Sequence, residues 1–152
     1  MKKAILILIA LILLYFSVLS VASFGSEYEA STKDNEAIKE AALDYIEGWY
    51  EGNAERMERA LHPDLAKRGV FVDQKTGKII MRSVGAEDMV KYTKAGAGKS
   101  PEKKEKIKMT ILDAYKNTAC VKIVSPDFVD YLQLARYKDG WAIVNVLWEM
   151  NK

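Results

Sequence analysis

Leu43–Arg68 constrains the fold more tightly than any other stretch of the chain. It holds part of a helix striped with aromatic residues, a break at Gly52-Asn53, a short second helix and a stop at His62-Pro63-Asp64. The first helix runs from about Glu36 to Glu51. Ile38, Ala41, Ala42, Tyr45, Ile46 and Trp49 recur every three or four residues, the stripe of a helix with one buried face. Asp34 or Asn35 is placed to cap its start. Gly52 tolerates the left-handed backbone found just past a helix end. Asn53 then caps a second helix from about Ala54 to Leu61, and Pro63 disfavours helical geometry at His62. Such a pair cannot bury its apolar face on itself, so its partner must come from the chain beyond Arg68.

That part of the chain reads mainly as strand. Gly69–Arg82 is a hairpin, with Val70-Phe71-Val72 and Ile79-Ile80-Met81 on either side of a Thr76-Gly77 turn. A third helix, about Gly85 to Lys94, has Met89, Val90 and Tyr92 as its apolar positions. Ala95–Lys106 is a glycine- and lysine-rich loop, and the lysines from Lys99 to Lys108 read as a solvated cluster. Ile107, Met109 and Ile111 then alternate with polar residues, as in a half-buried strand. Turns at Asn117-Thr118, Ser125-Pro126-Asp127 and Asp139-Gly140 divide the rest of the chain into further strands, the last about Trp141 to Glu149. Helices first and hairpins later predict an α+β fold: a twisted antiparallel sheet over a long N-terminal helix, with two shorter helices.

Ahead of this domain (36–152) lie a polar linker, 26–35, and an acid-free segment, 1–25. Lys2 and Lys3, an apolar run and a small-residue tail give that segment the pattern of a secretory signal, with cleavage after Ala22 or Gly25. The alternative is an uncleaved anchor over residues 4–24, since about 20 apolar residues cross a bilayer. The chain has 23 Lys and Arg against 21 Asp and Glu. Lys2 and Lys3 account for the whole excess, so the folded part carries no basic surplus to attract nucleic acid. Cys120 is the single cysteine, excludes an internal disulfide and is expected to be buried in a strand. No metal-ligand spacing, glycine-rich phosphate loop or CxxC occurs, so the sequence calls for no metal and no cofactor.

Two sets of residues together resemble the nuclear transport factor 2-like (NTF2-like) superfamily, in particular its lumazine-binding and SnoaL-like groups. The first is Tyr45-Ile46-Glu47-Gly48-Trp49, Gly52-Asn53 and Leu61-His62-Pro63-Asp64; the second is Asp130–Leu134, Asp139–Asn145 and Trp148. The resemblance covers about Ile38 to Glu149. It implies a cone, with the curved sheet wrapped over the first helix and open at one end into a pocket. It also implies a homodimer through the outer sheet face. The isomerases of similar fold use a carboxylate base that would fall near Gly69, where this chain has none.

These placements define the candidate site residues. Tyr45 and Trp49, one helical turn apart, either wall a pocket for an unidentified small molecule or fill the core. Tyr92, Tyr131 and Trp148 are further candidates for the ligand-binding set, with His62 at its rim. Trp141 and Trp148 are seven residues apart and so fall on opposite faces of a regular strand, one inside and one outside. Asp130 shares a face with Leu132 and Leu134, and Tyr131 takes the other with Val129 and Gln133. Binding without chemistry is the leading expectation. The alternative is a cofactor-free isomerase, dehydratase or hydrolase with His62 and Asp130 as acid–base pair, which requires the two to converge on one substrate atom.

Overall fold

A computed structural model describes residues 31–138 and 140–151; the expected signal segment and Asp139 lie outside them. Helix α1 spans Thr32–Glu51. It starts at Thr32 rather than Glu36, because Ser31 is its cap: Ser31 Oγ accepts from the Asp34 backbone N–H at 3.1 Å. Thr32–Asn35, expected as linker, therefore form the first helical turn. Gly52 closes α1 in the left-handed region, φ 69°. Asn53 caps α2 (Ala54–Ala60), its Oδ1 accepting from the Arg56 N–H at 3.1 Å.

Strand β1 (Leu61–Val72) begins directly after α2. The helix thus stops just ahead of His62-Pro63-Asp64, as the sequence suggested, and those three residues already belong to a strand that the sequence did not show. Its register shifts between Leu61 and Ala66, and that irregularity is where a residue without an N–H fits. Next come β2 (Ile79–Val84), α3 (Ala86–Lys94), a 3-10 helix (Pro101–Lys106) inside the expected loop, β3 (Lys108–Tyr115), β4 (Thr118–Val124), β5 (Phe128–Tyr137) and β6 (Gly140–Met150). They form one six-stranded curved sheet in the order β2-β1-β6-β5-β4-β3. Four joins are antiparallel, as expected, but β1 runs parallel to β6. The fold is α+β. Ile38, Ala42 and Ile46 of α1 pack on Val121, Ile123, Leu132, Leu134 and Ile143 of the concave face.

One bulge decides what faces that interior. In β6, Ile143 pairs with Leu134 and Asn145 with Gln133, so Val144 is an extra residue. The parity of the strand flips there. Trp141 and Ile143 face inward before the bulge, and Val146 and Trp148 after it. The two tryptophans therefore share the concave face, contrary to the opposite faces expected of a regular strand. Cys120 corrects a second expectation: Ala119, Val121 and Ile123 take the inner positions of β4, which leaves Cys120 half-buried on the other face.

The lysine cluster is not simply solvated. Lys103 Nζ bonds both oxygens of Asp127 at 2.8 Å, and Lys104 bonds Glu51, so the 3-10 helix is tied to α1 and to the β4–β5 turn. Tyr50, fully buried, strengthens the same junction by donating to Ser125 Oγ at 3.0 Å and Asp127 Oδ2 at 3.1 Å. Burial, reinforced by the Asp127 charge, pushes the Tyr50 hydroxyl from 10.0 up to about 12. A raised phenol pKa stabilises the fold fully below the unfolded value and is lost as pH rises through the folded one. Stability is therefore expected to fall between pH 10 and about 12. Tyr50→Phe should make that limb shallower while costing about 1 kcal/mol near neutrality through lost hydrogen bonds. Urea midpoints measured across this range for both proteins check it; equal alkaline slopes would refute the assignment.

Candidate functional site

The interior is polar at one point. Lys67 on β1 is 7% exposed, Asp130 on β5 is 1% and Tyr45 on α1 is 3%. Lys67 Nζ donates to Tyr45 Oη at 2.5 Å and to Asp130 Oδ1 at 3.3 Å, and Tyr45 Oη donates to the same carboxylate oxygen at 2.9 Å. The sheet makes this meeting possible. Lys67 shares its face with Leu65 and Gly69, Asp130 shares its face with Leu132 and Leu134, and β6 lies between the two strands. Nζ also sits 4.8 Å from the Trp148 ring centroid and 5.2 Å from that of Tyr45, within cation–π range of both.

Burial sets the electrostatics. Desolvation lowers the Lys67 pKa, and the Asp130 charge partly offsets it. Desolvation and the same carboxylate hold the Tyr45 hydroxyl well above its ordinary range. Asp130 Oδ2 and Trp148 Nε1 are buried with no hydrogen-bond partner among the described residues.

Beside this cluster lies a cavity of about 220 Å³. Tyr45, Trp49, Tyr92, Phe128 and Trp148 give it aromatic walls, Ile46, Val84 and Met89 add aliphatic surface, and Lys67 is the one charged residue among the described residues that line it. Phe71 and Phe128 hold the Trp148 indole edge-to-face at 5.4 and 5.2 Å. Gly69 admits that indole: a Cβ there would come within 2.7 Å of Trp148. The position at which the resemblance puts an isomerase base is thus given up to a tryptophan ring.

The family described as "Putative lumazine-binding" matches residues 33–149, most of the chain. The chain belongs to that family. Solved structures with the same fold include NTF2-like proteins of unknown function from three bacteria. The one from Shewanella baltica is 18% identical, with TM-score 0.61 over 82% of this chain and 99% of its own. That from Methylobacillus flagellatus is 20% identical, at 0.60 over 84% and 100%. That from Silicibacter pomeroyi is 13% identical, at 0.62 over 81% and 100%. No curated protein matches.

Within this lumazine-binding-family chain the candidate residues divide. Tyr45, Trp49, Tyr92 and Trp148 line the cavity, with Tyr92 about half-exposed. Tyr131 does not: it lies on the outer face, 47% exposed, because the inner positions of β5 belong to Asp130 and Leu132. His62 is absent from the lining too. It stacks on Tyr137 at 4.6 Å, and its Nδ1 accepts from the Asp64 N–H at 3.2 Å. Tyr137 is seven residues along β5 from Asp130, roughly 20 Å at strand spacing. His62 and Asp130 therefore do not converge on one substrate atom, and the acid–base pair is not formed. Asp127, in the expected Ser125-Pro126-Asp127 turn, accepts from Tyr50 and Lys103. Sequence reasoning misses Lys67, although its parity with Leu65 and Gly69 exposes it once β1 is started at Leu61.

Proposed function

We propose that the chain is an exported domain that holds a small, flat, mostly apolar molecule in the cavity between α1 and the sheet, and does so by binding rather than turnover. The observation that carries this is an aromatic cavity with a single charged side chain, Lys67, among the described residues at its wall. A dry cavity of about 150 Å³ takes up benzene, so 220 Å³ suits one substituted ring or a compact bicycle. Trp49, Trp148 and Phe128 offer faces and edges to such a ring, and the Lys67 ammonium favours an oxygen acceptor on it. Lumazine, which the family's description names, is a flat bicycle with carbonyl oxygens, though more polar than this wall. Separation of His62 from Asp130 removes the acid–base pair on which the enzymatic alternative depended. Export rests on the signal pattern of residues 1–25. A homodimer through the outer face is supported by Tyr131 and Leu147, both about half-exposed there.

Native mass spectrometry of protein isolated from its own host tests all three readings at once. The expected result is a dimer whose chains begin at Ser23 or Ser26 and which releases a small molecule on activation. Chains beginning at Met1 sink the cleaved form and favour the anchor over residues 4–24. A monomer counts against the dimer, and a mass equal to the polypeptide alone counts against a retained ligand.

A further inference from the structure

The geometry points to Lys67 as a covalent capture site: its amine forms a Schiff base with an aldehyde or ketone carried by a flat molecule in the cavity. The inference deepens the binding reading and rests on it. Three observations meet at one atom. Nζ belongs to the single charged residue among the described residues of the cavity wall, and that residue is more than nine-tenths buried. Tyr45 and Asp130 fix Nζ in place, so no side-chain entropy is lost in presenting it. Its surroundings are aromatic, and desolvation favours the uncharged amine that attacks a carbonyl.

The step balances without an oxidant or reductant. Ammonium first releases a proton, for which the unpartnered Oδ2 of Asp130 is a free acceptor. The nitrogen lone pair then forms the C–N bond as the carbonyl π pair moves to oxygen. That oxygen takes one proton and the nitrogen loses one, giving a carbinolamine. Tyr45 Oη, which accepts from Nζ and donates to Asp130, is placed to relay them. Protonation of the hydroxyl and its departure as water leave C=N. Hydrolysis reverses each step, so capture and release need no cofactor.

Most of the described lysines are exposed, unlike Lys67, which makes the test selective. The wild-type protein is incubated near neutral pH with benzaldehyde and sodium cyanoborohydride, which reduces any imine to a stable benzylamine, and the lysines are mapped by peptide mass spectrometry. Cavity occupancy is read in parallel from quenching of tryptophan emission, since Trp49 and Trp148 line the cavity. The expected result is quenching together with benzylation of buried Lys67 roughly tenfold above any exposed lysine, because binding holds the aldehyde beside one amine. Excess benzyl alcohol, which has the ring but no carbonyl, should suppress labelling of Lys67 and leave the surface lysines unchanged. Tyr45→Phe should slow labelling of Lys67 about tenfold at equal cavity occupancy, as read from quenching over a range of aldehyde concentrations, the behaviour of a proton relay rather than a wall. Quenching with adducts on exposed lysines alone overturns the covalent inference and leaves the binding reading standing. Neither quenching nor a Lys67 adduct overturns both. A Lys67 adduct that benzyl alcohol does not suppress overturns capture from within the cavity.

Discussion

Asp130→Ala is expected to destabilise the domain by about 3–5 kcal/mol, because it strands the buried Lys67 ammonium without its counter-charge. The cost comes from desolvation. Lys67 is 7% exposed, and Asp130 is the only carboxylate bonded to it among the described residues. Tyr45 loses its acceptor in the same substitution, so its buried O–H donor is left without that partner as well. The double variant Lys67→Met with Asp130→Leu should behave differently. It removes both charges and fills the space with apolar atoms; it too leaves the buried Tyr45 hydroxyl without these partners, so its advantage over Asp130→Ala, about 2 kcal/mol or more, reports the stranded charge alone. Urea midpoints at constant slope measure both. Single and double variants of equal stability would show that the ion pair is not what the alanine substitution breaks. The comparison also bears on function, since a pair that apolar residues can replace without loss of stability is kept for something other than folding.

That pair shows how much the sequence could and could not disclose. Periodicity alone locates α1, α2, α3 and most strand positions, because a stripe every three or four residues and strict alternation are local properties. Asp130 belongs to the Leu132–Leu134 face for the same reason, and it sits there. Two non-local facts are hidden. Pro63 ends a helix and also fits a strand irregularity, and the first meaning conceals β1 up to Gly69 and with it the inward parity of Lys67. The bulge at Val144 has no sequence signature of its own in Trp141–Trp148, since the extra residue is defined only by its partners on β5 and β1. The candidate aromatics of α1 are therefore legible, and the charged residue they surround is not. His62 stands out as the lone histidine, yet its neighbour is Tyr137, at the opposite end of β5 from Asp130.

Gly98→Ala should be the most damaging single-methyl change near the cavity. Read as sequence, Ala95-Gly96-Ala97-Gly98 is a flexible connection; in the fold it is a lid over Trp49. A Cβ on Gly98 would overlap the Trp49 indole at Cε2, Nε1 and Cδ1. The indole is rigid, and its own place on the cavity wall limits where it can retreat. Ser100 N–H donates to the Tyr50 carbonyl at 2.9 Å, and Lys103 and Lys104 anchor the chain just beyond, so the loop cannot lift freely either. Overpacking of this kind costs about 1–3 kcal/mol. Because Trp49 must turn inward or the lid must open, tryptophan emission should shift and quenching by a cavity ligand should weaken. A second substitution separates steric overlap from loss of glycine's backbone freedom. Trp49→Leu removes the overlapping atoms, so in the Gly98→Ala background it should recover stability relative to the sum of the single changes, a coupling of about 1 kcal/mol or more. Strictly additive effects, or a Gly98→Ala protein with wild-type emission and midpoint, would show that the lid is loose and that Trp49 is not held by it.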